Sequence, residues 1–151
     1  MKYAVGLVAA MFLLVLSLLI FTFSIAQSPS TERLSPSDWI LENQIHVFDD
    51  RVVLNLENAQ WSRFTNTNSM DPLFDENANA LEIKPQSPTS IQLGDIISYN
   101  YNGSIFIHRV VQMGQDQKGF YYIVQGDNAS QPDSHQVRFE EIHGVVVAII
   151  Y

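Results

Sequence analysis

The chain has 151 residues, with 16 acidic and 8 basic side chains and no cysteine. That length suits one domain plus an anchor, and the lack of cysteine excludes a disulfide framework and a thiol nucleophile. Beyond residue 26 the balance is 7 basic against 16 acidic, or −9, which argues against a nucleic-acid partner and against a basic grip on anionic lipid.

Residues 3–26 carry no charge and are dominated by Leu, Val, Ile, Phe and Ala. About 20 apolar residues span a bilayer as a helix, so residues 1–26 are expected to form a single transmembrane anchor. Only Lys2 and the amino terminus flank the run. The positive-inside rule then places the N-terminus in the cytoplasm and the domain on the external or lumenal side. Ser24-Ile25-Ala26 has the small-x-small form of a signal-peptide cleavage site, but a signal core is ordinarily shorter than this run. Residues 27–44 follow as a Ser/Pro-rich linker, in which Ser35 and Pro36 could cap and open a short helix.

Residues 45–151 read as β structure. Ile45-His46-Val47-Phe48 and Val52-Val53-Leu54-Asn55-Leu56 flank the turn Asp49-Asp50. The stretch from Trp61 leads to Ser69, and Ala80-Leu81-Glu82-Ile83 is a short strand closed by Pro85. Asn102-Gly103, between two apolar stretches, is a hairpin signal. Phe120-Tyr121-Tyr122-Ile123-Val124 and the final run from Gly144 complete the set. Many short strands with regular turns predict a mainly β fold, a small barrel or folded sheet.

Three motifs carry chemistry: Asn68-Ser69-Met70-Asp71-Pro72, Ile107-His108-Arg109-Val110, and Gly126-Asp127-Asn128 followed by Asp133-Ser134. A serine hydroxyl is a weak nucleophile. It needs a base within hydrogen-bond reach, and the base needs an orienting group. Ser69 lies in a loop of small polar residues that can expose a side chain and turn N–H groups towards an oxyanion. Each motif also has a plain structural reading. Most loop serines are solvated or cap a turn, and a strand histidine is usually packed. Asp127 suits an Asx-type turn, and Asp133 suits a solvated loop.

Taken together, these motifs resemble signal peptidase I, the S26 serine peptidases, in the archaeal and endoplasmic-reticulum branch. Ser69-Met70-x-Pro72 is similar to the nucleophile box, and Gly94-Asp95-Ile96-Ile97 to the Gly-Asp-apolar strand that follows. His108 precedes Arg109 where the bacterial branch has lysine, and Gly126-Asp127-Asn128…Asp133 is similar to the last box. The resemblance covers about the last 85 residues of the sequence. It implies a Ser-His-Asp acyl-enzyme mechanism, with Ser69 as nucleophile, His108 as base and Asp133 as its orienting partner. Asp127 would support the site, and the Thr67 hydroxyl with the Ser69 N–H would hold the oxyanion. No cofactor or metal is implied. Expected partners are signal-peptide-bearing preproteins and the lipid bilayer, with room for accessory membrane subunits. The chain departs from the family at Asn68, where glycine usually stands. Asn tolerates unusual backbone angles better than most residues.

Other signals are weaker. Asp75-x-Asn77-x-Asn79 opens like a calcium loop, but Ala80 stands where glycine is required and Gln86 where the bidentate glutamate belongs. His46 with Asp49 and Asp50 reads as a hairpin turn rather than a metal site. His135 and His143 lack a motif, and Asn102-Gly103-Ser104 and Asn128-Ala129-Ser130 are glycosylation sequons. Two rival readings remain. One is a catalytically inactive, membrane-tethered β-domain acting as a binding or accessory protein. The other is a repressor-type self-processing peptidase, which would need a lysine base and a basic DNA-binding module.

Overall fold

Alternating β-branched and aromatic residues build the sheets, because a period of two sends one set to each face. The computed structural model describes residues 11–17 and 32–151. The chain divides into Met1–Glu32 and Arg33–Tyr151. Residues 11–17 are helical with exposed side chains. The rest of the run expected to form an anchor lies outside the described residues. Among the described residues, no helix is long and apolar enough to cross a membrane.

The second unit is mainly β. Strands β1 (Ile45–Val47) and β2 (Val52–Leu54) pair antiparallel as the expected hairpin. The remaining strands are β3 (Ala59–Arg63), β4 (Asn79–Ile83), β5 (Ile96–Tyr101), β6 (Ser104–Asp116), β7 (Gly119–Gln125), β8 (Gln136–Arg138) and β9 (Ile142–Ile150). They form one seven-stranded antiparallel sheet in the order β3-β4-β9-β5-β6-β7-β8. The C-terminal run expected as a buried strand is therefore central. The expected strand from Ala80 is β4, and the Asn102-Gly103 turn joins β5 to β6, with Asn102 at φ 52 and Gly103 at φ 81.

Strand β6 is longer than its sequence suggests and changes partner midway. Residues Ser104 to Arg109 pair with β5, while pairing with β7 begins at Arg109 and passes an irregularity between Val110 and Gln112. Among the described residues, no strand covers the second edge of Ser104 to His108. A bulge of this kind bends a strand and re-aims its side chains.

Both faces of the sheet are covered. Ile97, Tyr99, Val110, Tyr122, Val124 and Val145 belong to one buried cluster, which Trp39 joins. Met70, Phe74, Ala80, Ile96 and Val146 form another, with Phe64 stacked on Phe74 at 4.1 Å. Met70 is 2% exposed and pins the loop that carries Ser69. Burying the larger of these, the Val, Ile, Met and Phe side chains, stabilises the fold by about 1.5–3 kcal/mol each.

The linker differs from the expected spacer. No helix forms at Ser35-Pro36, and the helical turn lies at Glu42–Gln44. The chain before it is bound to the sheet. Asp95, fully buried, accepts from Ser37 N at 2.7 Å, Ser37 Oγ at 2.6 Å, Trp39 Nε1 at 3.1 Å and Gln92 N at 2.8 Å. Gly94, at φ 94, lets this segment pass, since a Cβ there would lie 2.1 Å from the Ser35 carbonyl oxygen.

Candidate active site

The nucleophile loop follows β3. Ser69 is half-buried, beside the fully enclosed Met70. Asn68 has φ 54, the left-handed region a glycine enters freely. With its amide turned to donate, Asn68 reaches Asp71 and Asp75 at 3.2 Å each. Asp75 also accepts from the Thr67 N–H at 3.3 Å. It is therefore a brace for this loop, unlike the calcium ligand its spacing hinted at. Asparagine keeps the backbone turn that glycine would allow and adds side-chain bonds.

Thr67 stands directly over the serine. Its Oγ1 is 3.1 Å from Ser69 Oγ and accepts from the Ser69 N–H at 3.4 Å. Among the described residues, Ser69 Oγ has no hydrogen bond to His108. The two side chains nonetheless line one cavity of about 590 Å³, together with Thr67, Phe74, Asp75 and Phe106. Gly126 lies against both the Ser69 main chain and the His108 ring. A Cβ placed there would lie 2.6 Å from the Ser69 carbonyl oxygen and 3.2 Å from His108 Nε2. A long nucleophile-to-base contact is common before substrate arrives.

The base and its partner are in direct contact. His108, on β6, has Nδ1 2.6 Å from Asp133 Oδ2, with side chains 12% and 26% exposed. A carboxylate takes only hydrogen here, so Nδ1 carries the proton and Nε2 is left to accept on the serine side. Asp133 is held beside β7 by its N–H, which donates to the Val124 carbonyl at 2.8 Å.

Asp127 is placed differently from its turn reading. The turn is closed by the main chain, with Ala129 N donating to the Gly126 carbonyl at 2.9 Å. The Asp127 carboxylate takes a two-pronged bond from Arg109, Nε to Oδ1 at 2.8 Å and Nη2 to Oδ2 at 2.6 Å. Both side chains are 6% exposed. The third arm of Arg109 donates to the Leu34 and Gly94 carbonyls at 2.8 and 2.9 Å, and the Arg33 guanidinium donates to the Asp127 carbonyl. This paired charge fixes the residue after His108 to the residue after Gly126.

Two contributors escaped the sequence reading. Asn128 donates from its N–H to the Ser69 carbonyl at 3.0 Å and from its side chain to the Asn68 carbonyl at 2.9 Å, which ties the two loops together. The Tyr99 hydroxyl donates to Asp133 Oδ2 at 2.6 Å. Burial first, then this hydrogen bond and the nearby Asp133 and Glu141 charges, push the Tyr99 phenol far above its ordinary range. No sequence signal marks it, because an aromatic residue in an alternating strand looks like plain core.

The other candidates fall away from this centre. His46 Nε2 meets the Asn55 amide at 3.0 Å, His135 pairs with Glu141 at 2.9 Å, and His143 is exposed. The chain matches no protein-family model and no curated protein.

Proposed function

We propose that this chain is a membrane-anchored serine endopeptidase of the signal peptidase I type, in its Ser-His branch, which removes signal peptides from exported preproteins. The observation that carries the reading is the bond of His108 Nδ1 to Asp133 at 2.6 Å, with His108 and Ser69 lining one cavity. An imidazole with one nitrogen fixed by a carboxylate can serve as general base for a hydroxyl that comes within reach of the other.

In this reading His108 Nε2 takes the Ser69 proton as Oγ attacks the scissile carbonyl. The Ser69 N–H and the Thr67 hydroxyl receive the developing oxyanion, and Asp133 stabilises the imidazolium. The imidazolium then protonates the leaving amine, and water, activated by the same nitrogen, hydrolyses the ester. Ser104 to His108, whose second edge no described strand covers, line the same cavity as Arg63 to Thr65. A substrate segment would add there as an extended strand, held by main-chain bonds. Residues 3–26 would be the anchor, with the peptidase domain external and the N-terminus cytoplasmic. The support for that placement is the uncharged apolar run and its single flanking lysine.

The test is to reconstitute the full chain in lipid and add a preprotein. The expected product is a mature protein cut after a residue pattern with small side chains at the first and third positions before the cut. Folded Ser69→Ala should yield none. Cleavage at the wild-type rate by that variant would end the reading.

A further inference from the structure

We infer that Tyr99 is a positioning residue of this site, whose hydroxyl holds the Asp133 carboxylate in the orientation that grips His108. The inference rests on the peptidase reading above and deepens it. Tyr99 is 2% exposed on β5, with its ring among the buried core residues. The ring is fixed by packing, so its hydroxyl has only one torsion left free.

Asp133 is the opposite case. It lies in the irregular stretch between β7 and β8, and its side chain is 26% exposed. A carboxylate on such a stretch is free to change rotamer. Two donors prevent this by meeting on one atom, since the Tyr99 hydroxyl and His108 Nδ1 each lie 2.6 Å from Oδ2. They are 3.4 Å apart, close enough to share the oxygen. Both bonds break if the side chain swings to another χ1 rotamer.

A buried tyrosine hydroxyl usually finds some partner. Tyr122 shows the ordinary form, donating to the Pro88 carbonyl at 2.7 Å. Tyr99 differs in its partner, which is the same carboxylate oxygen that binds the imidazole facing the serine cavity. Sharing also has an electronic effect. The hydroxyl draws charge from Oδ2, so its removal should strengthen the remaining bond to His108 Nδ1–H while loosening its direction.

The experiment uses the full chain in lipid nanodiscs. Tyr99→Phe keeps the ring and removes the hydroxyl. Its kcat on a preprotein should fall about tenfold with KM unchanged, the size of one hydrogen bond to a charged group. In an Asp133→Asn background the same change should cost nothing further, because contacting residues couple. Apart from turnover, the His108 Nδ1–H proton resonance should move downfield in Tyr99→Phe. An unchanged kcat, an equal loss in both backgrounds or an unmoved resonance would overturn the inference. If the wild type cut no preprotein while the resonance still moved, the peptidase reading would fail and the positioning contact would stand.

Discussion

The two aspartates of the last motif do different physical work. Asp133 is half-buried and bonds an imidazole, whereas Asp127 is 6% exposed and neutralises a buried guanidinium. Asp133→Asn should cut kcat by about 10⁴-fold with little change in stability, as for a triad aspartate that fixes the tautomer. Asp127→Ala should instead destabilise by about 3–5 kcal/mol, because it leaves Arg109 buried without its partner. Paired urea melts and steady-state kinetics check both. An inactive but fully stable Asp127→Ala, beside an active Asp133→Asn, would reverse the roles. At this scale the sequence marks Ser69, His108 and Asp133 as candidates, because each stands in its own short motif, and the structure brings His108 and Asp133 into contact. The sequence is silent on Tyr99, Asn128 and the Arg109–Asp127 pair. Those contacts join positions 18 to 60 residues apart, and local pattern carries no distance information of that range.

Among the elements, residues 33–38 have the composition of a spacer and are part of the second unit. Ser35 and Pro36 suggest a short helix that does not form, because this stretch is held extended by bonds to the sheet. The composition gives no hint of Ser37 on Asp95 or of Leu34 on Arg109. The hairpins were legible because turn residues and alternation are local signals. Strand β8 was not, since Val137 is its single buried residue and three residues cannot show a period. Removing residues 1–26 should leave a folded domain that cuts short soluble peptides. It should lose efficiency on membrane-inserted preproteins, because tethering raises effective concentration. Removing residues 1–37 should destabilise it strongly. Three hydrogen bonds to buried Asp95 and Arg109 would be lost, at about 1–3 kcal/mol each. Thermal melts of the two truncations separate these outcomes, and equal melting temperatures would show that the segment contributes nothing.

For the whole molecule, the buried tyrosines set an alkaline limit. Burial, followed by the Glu140 charge, pushes the Tyr122 phenol up to about 12, and Tyr99 is raised further. A phenol with a raised folded-state value contributes stability that is fully present below its unfolded value of about 10 and is lost as pH rises through the folded one. Urea midpoints should therefore fall between about pH 10 and 12, and Tyr122→Phe should flatten the fall. A midpoint as high at pH 11.5 as at pH 8 would contradict this. The mainly β class followed from turn spacing and alternation. The central place of β9 between β4 and β5 did not, because strand order depends on which faces bury together.

The central claim is that Ser69 and His108 act as one unit on a scissile carbonyl. The most direct measurement is the preprotein cleavage rate of the lipid-reconstituted full chain for Ser69→Ala, His108→Ala and the double variant. Residues that act as a unit are not additive. Each single change should therefore lower kcat by about 10⁴-fold or more and match the double variant. Wild-type cleavage by either folded single variant, or losses that multiply in the double variant, would contradict the account.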